Sequence, residues 1–166
     1  LSVLQAGFLV LLARPYFSNV SKRLIKAPKI YFTDPGLAAW LIGIRNVDHL
    51  RTHPLRGAIF ENWLVTELAK AAAHAGRVPA VGFIRDKEGH EIDAVVECGT
   101  MLHAIEAKSG QTVPSDAFKG LDFWRSKLKP STGLRSWLIY GGDSIQRREN
   151  VTVLPWNDLE PLLQEL

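Results

Sequence analysis

Apolar positions recur at helical spacing most clearly over residues 57–75. There Phe60, Leu64, Leu68, Ala71, Ala72 and Ala75 share one side, and Gly76 closes the run. A second amphipathic run spans 115–128, with Phe118, Leu121, Trp124 and Leu128 on its apolar side. Asp34-Pro35 marks a third helix start, an N-cap followed by the first helical position. Leu37, Ala38, Leu41 and Ile42 give that helix an apolar face, which ends at Gly43. Strand-type runs occupy 29–32, 80–85, 91–97, 101–108, 134–140 and 151–154. Residues 3–13 read as a helix end running into a strand, 14–19 as a strand end and turn, and 157–166 as a short terminal helix. Residues 44–56 show no period and read as a connector, the best candidate for a domain boundary. From residue 57 the order is α-β-β-β-α-β-(β)-α. An antiparallel meander at its centre predicts a mixed α/β fold, a central mixed sheet flanked by helices, and argues against a Rossmann-type repeat.

Composition narrows the class. With 46% hydrophobic and 22% charged residues over 166 positions, the chain has the make-up of a globular domain, not a disordered or fibrous one. A single cysteine, Cys98, excludes an internal disulfide framework and points to a reducing, cytoplasmic setting. The apolar run at 3–13 is too short and too broken to cross a bilayer, so no membrane association is expected. The first residue is Leu1 and no leader precedes it, so a longer protein is expected around this segment. Charge is uneven. Residues 1–57 hold eight basic and two acidic groups, net +6, against −3 for the remainder. The basic cluster Lys22, Arg23, Lys26 and Lys29 suits either a polyanion contact or a solvated hairpin tip. Two short strands around this basic tip, after a helix end, look like the wing of a winged helix.

Two polar signals fall where the pattern should be apolar. Glu61 lies between Val65, Leu68 and Ala72 on the helix wheel, where a lone carboxylate is costly without a positive or hydrogen-bonding partner. Its place near the helix start offers a structural alternative. The second signal is the pair 91–97 and 101–108. With Gly99-Thr100 as a two-residue tip, Asp93 falls opposite Glu106, and Glu91 opposite Lys108. Alternation puts Asp93, Glu106 and Lys108 on one sheet face and Ile92, Ala94, Ile105 and Ala107 on the other. Carboxylates on carbons about 4.5–5.5 Å apart repel unless a cation or proton lies between them. Such oxygen donors suit Mg²⁺ or Mn²⁺. Lys108 would add a cation beside an attacking water, or it could form a simple cross-strand pair with Glu91. Ser109-Gly110-Gln111-Thr112 lacks the frame of a phosphate loop, and the histidines give no zinc spacing. The five tryptophans sit mostly at apolar-face positions and read as core.

Glu61, Asp93 and Glu106-Ala107-Lys108 resemble the acidic and Glu-x-Lys signature of the PD-(D/E)XK nuclease superfamily, although Ile92 stands where its naming proline would be. Four blocks carry a closer resemblance: Lys29-Ile30-Tyr31-Phe32-Thr33-Asp34-Pro35-Gly36-Leu37, Gly57-Ala58-Ile59-Phe60-Glu61-Asn62, Gly89-His90-Glu91-Ile92-Asp93 and Ile105-Glu106-Ala107-Lys108-Ser109-Gly110. They are similar to the C-terminal domain, of unknown function, in a prokaryotic family of AAA+-type ATPases, where it follows an ATPase module and a winged helix. The resemblance implies part of a winged helix and a linking helix over residues 1–50, and a restriction-endonuclease-like core over 51–166. It also implies a metal held by Asp93, Glu106 and the Ala107 carbonyl, with Lys108 positioning water and Glu61 holding a metal-bound water. Mg²⁺ or Mn²⁺ is the cofactor it implies, with ATP confined to a preceding module. DNA and the N-terminal ATPase domain of the same polypeptide are the implied partners, with room for an oligomer. The function expected is Mg²⁺-dependent hydrolysis of DNA phosphodiesters; a non-cleaving DNA-binding or regulatory role for the same ATPase is the alternative.

Overall fold

The structure, a computed structural model, describes residues 1–16, 24–78, 80–128 and 133–166. In chain order its elements are α1 (Ser2–Ala6), β1 (Val10–Pro15), β2 (Lys29–Phe32), α2 (Pro35–Leu41), α3 (Val47–Thr52), α4 (Arg56–His74), β3 (Val81–Arg85) and β4 (Glu91–Cys98). They continue with β5 (Met101–Lys108), α5 (Lys119–Lys127), β6 (Gly133–Tyr140), β7 (Gln146–Arg147), β8 (Thr152–Pro155) and α6 (Glu160–Leu163). All eight strands form one mixed sheet in the order β2-β1-β3-β4-β5-β6-β8-β7. The β3-β4-β5 meander is antiparallel, as the short turns require, and β5, β6 and β8 run parallel through longer connections. The fold is mixed α/β, with helices against both faces of the sheet.

Each face buries its own apolar set. Leu64, Val65 and Leu68 of α4 pack with Ala94, Ile105 and Ile139 on one side. Leu121 and Trp124 of α5 pack with Ile92, Leu102, Ala104 and Leu138 on the other. Strands covered twice carry near-continuous apolar runs, which is why β5 and β6 lack polar alternation. Against that background, Glu106 on β5 stands out as a buried acid.

The β4–β5 hairpin has the expected register, with Cys98 opposite Met101 and Ala94 opposite Ile105. Gly99 takes a positive φ of 59° at the first position of the tip, where a side chain would be strained. The β1–β2 hairpin also forms, and it extends the main sheet, because Arg14 and Pro15 pair in parallel with Gly82 and Phe83 of β3. Four expectations change. The connector contains α3, started by Asn46, whose side chain accepts the His49 amide. Helix α5 starts at Lys119 instead of 115, because turns closed by the Pro114 and Asp116 carbonyls precede it. The terminal helix covers only Glu160–Leu163. Trp124 and Trp137 are core, but Trp40 and Trp156 are 59% and 50% exposed. No described helix is long and apolar enough to cross a membrane.

Candidate functional site

Glu61 has the partners its position demands. They come from β2, where Lys29 and Tyr31 are two residues apart and so point the same way. Lys29 Nζ donates to Glu61 Oε1 at 2.7 Å, and the Tyr31 hydroxyl donates to the same oxygen at 2.5 Å. Asn62, next on α4, brackets the Phe32 backbone: its Oδ1 accepts the Phe32 N–H and its Nδ2 donates to the Phe32 carbonyl. These contacts clamp α4 to β2 at the point where Glu61 emerges. Lys29 also forms an ion pair with Glu91, which Arg85 Nε approaches at 3.5 Å. Burial pulls the Lys29 amine down, but Glu61 and Glu91 outweigh it and hold it above the ordinary lysine value. Burial and the Glu61 carboxylate push the Tyr31 phenol up, so it remains a donor.

Asp93 lies where strand alternation breaks. Val81 and Gly82 pair with Val96 and Val95, but Ile84 and Arg85 pair with Ile92 and Glu91, so β4 holds one residue more than β3 between these points. This bulge corrects the single-face expectation: Ile92 packs on the α5 side, with Ala104, while Ala94, Ile105 and Ala107 pack on the α4 side. Asp93 then takes over where the ladder to β5 stops, its Oδ2 accepting the Ala107 N–H at 2.8 Å. One step along β5, Glu106 is buried beside α5, its Oε2 near the open Cα face of Gly120. Lys108 Nζ donates to Glu106 Oε1 at 2.5 Å. The expected pairing of Lys108 with Glu91 does not form, since Glu91 turns to Lys29 and Arg85.

The carboxylates converge from two layers at this split between strands. Burial, then Glu106 and then Glu61, push Asp93 up to about 8, against the Ala107 amide and Lys29. Burial also raises Glu106 above the usual carboxylate range, although Lys108 opposes it. Burial lowers the Lys108 amine, but Glu106 and Asp93 prevail and hold it charged. Glu106 Oε2 is buried and has no hydrogen-bond partner among the described residues. An orphaned carboxylate oxygen beside a second, half-buried carboxylate fits a hard cation, which takes oxygen donors of this kind. The structure therefore gathers Glu61, Asp93, Glu106, Ala107 and Lys108 in one region; of Ala107 it is the amide that is engaged.

The basic cluster divides. Lys26 is exposed, while Lys29 is turned inward to Glu61 and Glu91 instead of standing on a tip, because those acids need a cation. Lys22 and Arg23 lie outside the described residues. The structure also shows a group the sequence reading passed over. Among the described residues, ligating atoms of Asp86, Glu88 and His90 all lie within 4.8 Å of one another, whereas Glu61, Asp93 and Glu106 form no such group of three and are each held by a different partner. Asp86 closes a turn, accepting the Glu88 and His90 amides on Oδ1 and meeting His90 Nδ1 at 2.9 Å. Burial opposes it, but the His90 ring and these amides hold Asp86 below its usual value. The Asp-x-Glu-x-His spacing was the available signal.

Residues 56–159 match the model of a family described as a domain of unknown function, DUF4143, and the chain belongs to that family. The domain is commonly the C-terminal part of AAA-type ATPase proteins. Residues 1–48 match a second domain of unknown function, DUF8612. The site draws on both segments, Lys29 and Tyr31 from the first and the acids and Lys108 from the second. Uncharacterized proteins of Mycobacterium bovis and Mycobacterium tuberculosis are each 30% identical over 112 residues, 68% of this chain and 24% of theirs. The match thus spans about a quarter of the length of these relatives.

Proposed function

We propose that this chain hydrolyses phosphodiesters in DNA with the help of Mg²⁺ or Mn²⁺, on a restriction-endonuclease-like core, under the control of an ATPase module of the same cytoplasmic polypeptide. The observation that carries the reading is the pair of half-buried Asp93 and buried Glu106, both raised in pKa, with one Glu106 oxygen unpartnered among the described residues and Lys108 two residues along the strand. Two crowded acids beside a charged amine have little structural use on their own, since apolar residues would fill the same space at lower cost. Asp93, Glu106 and the Ala107 carbonyl would hold the ion, which supplies Lewis acidity at the scissile phosphate.

The side chains divide the remaining work. Lys108, kept charged by Glu106, presents a cation toward charge that develops on the phosphate oxygens. Glu61, fixed by Tyr31 and Lys29, offers its carboxylate to orient a water on the α4 side. The Ala107 N–H, donated to Asp93 Oδ2, fixes the orientation of that carboxylate. Exposed Lys26, with Lys22 and Arg23, would track the phosphate backbone.

Nicking of supercoiled plasmid with Mg²⁺ or Mn²⁺ tests the proposal. The parent chain should nick, and Asp93→Ala and Lys108→Ala should each lose about 100-fold or more in rate. Salt-sensitive binding without nicking, weakened when Lys22, Arg23 and Lys26 become alanine, would replace this reading with a non-cleaving DNA-binding role.

A further inference from the structure

Past the end of β5, where Ser109 follows Lys108, lies a cleft of about 520 Å³ that the chemistry above does not use. One wall is the stripe Arg56, Ile59, Phe60 and Trp63 of α4, on the flank of that helix away from Glu61. Another is Ser109, which directly follows Lys108 and is tied to α4 by a hydrogen bond from Arg56 to its carbonyl. Trp156, half exposed, closes the far side, its ring edge-on to Trp63 at 6.2 Å, and Phe60 lies 5.2 Å from Trp63. At the rim, Arg51 is two-thirds exposed and, among the described residues, its side chain is held by a solvated pair with Asp48, so its charge remains available.

We propose that this cleft receives an unpaired base of single-stranded DNA, and that the substrate of the adjoining site is therefore single-stranded or flapped DNA. The inference rests on the nucleolytic reading and adds the substrate class to it. An aromatic, largely apolar cleft offers the flat surfaces on which unstacked bases are held. A duplex keeps those faces covered and presents only its edges. The volume falls within the range of pockets that hold one small ligand. Arg51 and Arg56 supply positive charge for the phosphates on either side. Ser109 ties the cleft to the strand end that carries Lys108, so the backbone of a strand with a base seated here would continue toward Lys108.

The test is fluorescence anisotropy of the full chain with a labelled oligothymidine and with a duplex of equal length, in EDTA and in Ca²⁺, beside the plasmid and oligonucleotide cleavage assays. The single strand should bind about tenfold more tightly than the duplex. Trp156→Ala should remove most of that preference with little effect on the duplex, and Trp156→Phe should restore it. Trp156 is exposed enough for both variants to fold, and unchanged thermal melting checks this. Asp93-dependent cleavage with equal binding of both forms overturns this inference and leaves the nucleolytic reading intact. Absence of binding and of cleavage overturns both. Self-association that Trp156→Ala abolishes, with oligonucleotide binding unchanged, assigns the cleft to a second copy of the chain and also overturns the inference.

Discussion

Asp93 is an acid that the folded chain prefers protonated. Its folded value of about 8 lies above the ordinary 3.8, so the native state binds this proton more tightly than the unfolded chain does. The resulting stability is present in full below about 4 and is lost as pH rises through about 8; Glu106, also raised, acts in the same direction. Melting in metal-free buffer should therefore occur at lower temperature at pH 9 than at pH 5. Asp93→Asn should flatten most of that slope, because the amide oxygen still accepts the Ala107 N–H while the charge is gone. An unchanged slope in the variant would show that Asp93 is not the titrating group. The Lys29–Glu61 bond makes a second residue-level case. Its partners are 21% and 22% exposed, so it belongs with partly buried, charge-assisted pairs. A double-mutant cycle of Lys29→Met and Glu61→Gln, read by urea denaturation, should give a coupling of about 1–2 kcal/mol. Lys29→Met alone should cost more, since it leaves Glu61 and Glu91 without their shared cation.

At the scale of elements, helices and strands with a clear period were legible. Asp34 caps α2 by accepting the Gly36 and Leu37 amides, as Asp-Pro before an apolar stripe announces. The short Cys98-Gly99-Thr100 link also fixed the β4–β5 register, which brought Asp93 and Glu106 together on paper. The bulge was not legible, because alternation within β4 says nothing about how many residues β3 sets opposite it. Nor could the sequence show that Lys29 and Tyr31 serve Glu61, because that contact joins residues some thirty positions apart through tertiary packing. Helix α3 escaped because it buries none of its side chains, so it carries no apolar period. Helix α5 depends on a feature hidden in a single glycine. A Cβ on Gly120 would run into the Glu91 carbonyl, so α5 rests directly on the backbone of β4 just above Glu106. Gly120→Ala should destabilise the fold by about 1–3 kcal/mol in chemical denaturation. Wild-type stability in that variant would mean the helix can lift without cost.

Across the whole molecule, the candidate site straddles the sheet. Glu61 descends from the α4 layer, Glu106 is covered by α5, and Asp93 lies at the split between β4 and β5. An ion held there would tie both helical layers to the strands between them, and so should stabilise the fold as a unit. At a free concentration about 100 times the dissociation constant, binding contributes about 2.7 kcal/mol. For a chain of this size that corresponds to a rise in melting temperature of about 5–10 °C. Mg²⁺ or Mn²⁺ should produce this rise and EDTA should reverse it. The apparent affinity should strengthen from pH 5 to about 8 and then level off, since below about 8 the ion must displace the proton on Asp93. The group at Asp86, Glu88 and His90 is a rival source of any such rise, and its imidazole makes it better suited to Mn²⁺ than to Mg²⁺. Asp86→Asn should leave the Mg²⁺ response intact, whereas Asp93→Asn with Glu106→Gln should abolish it. The reverse pattern would move the metal to the turn before β4 and remove the basis for placing catalysis at the β4–β5 split.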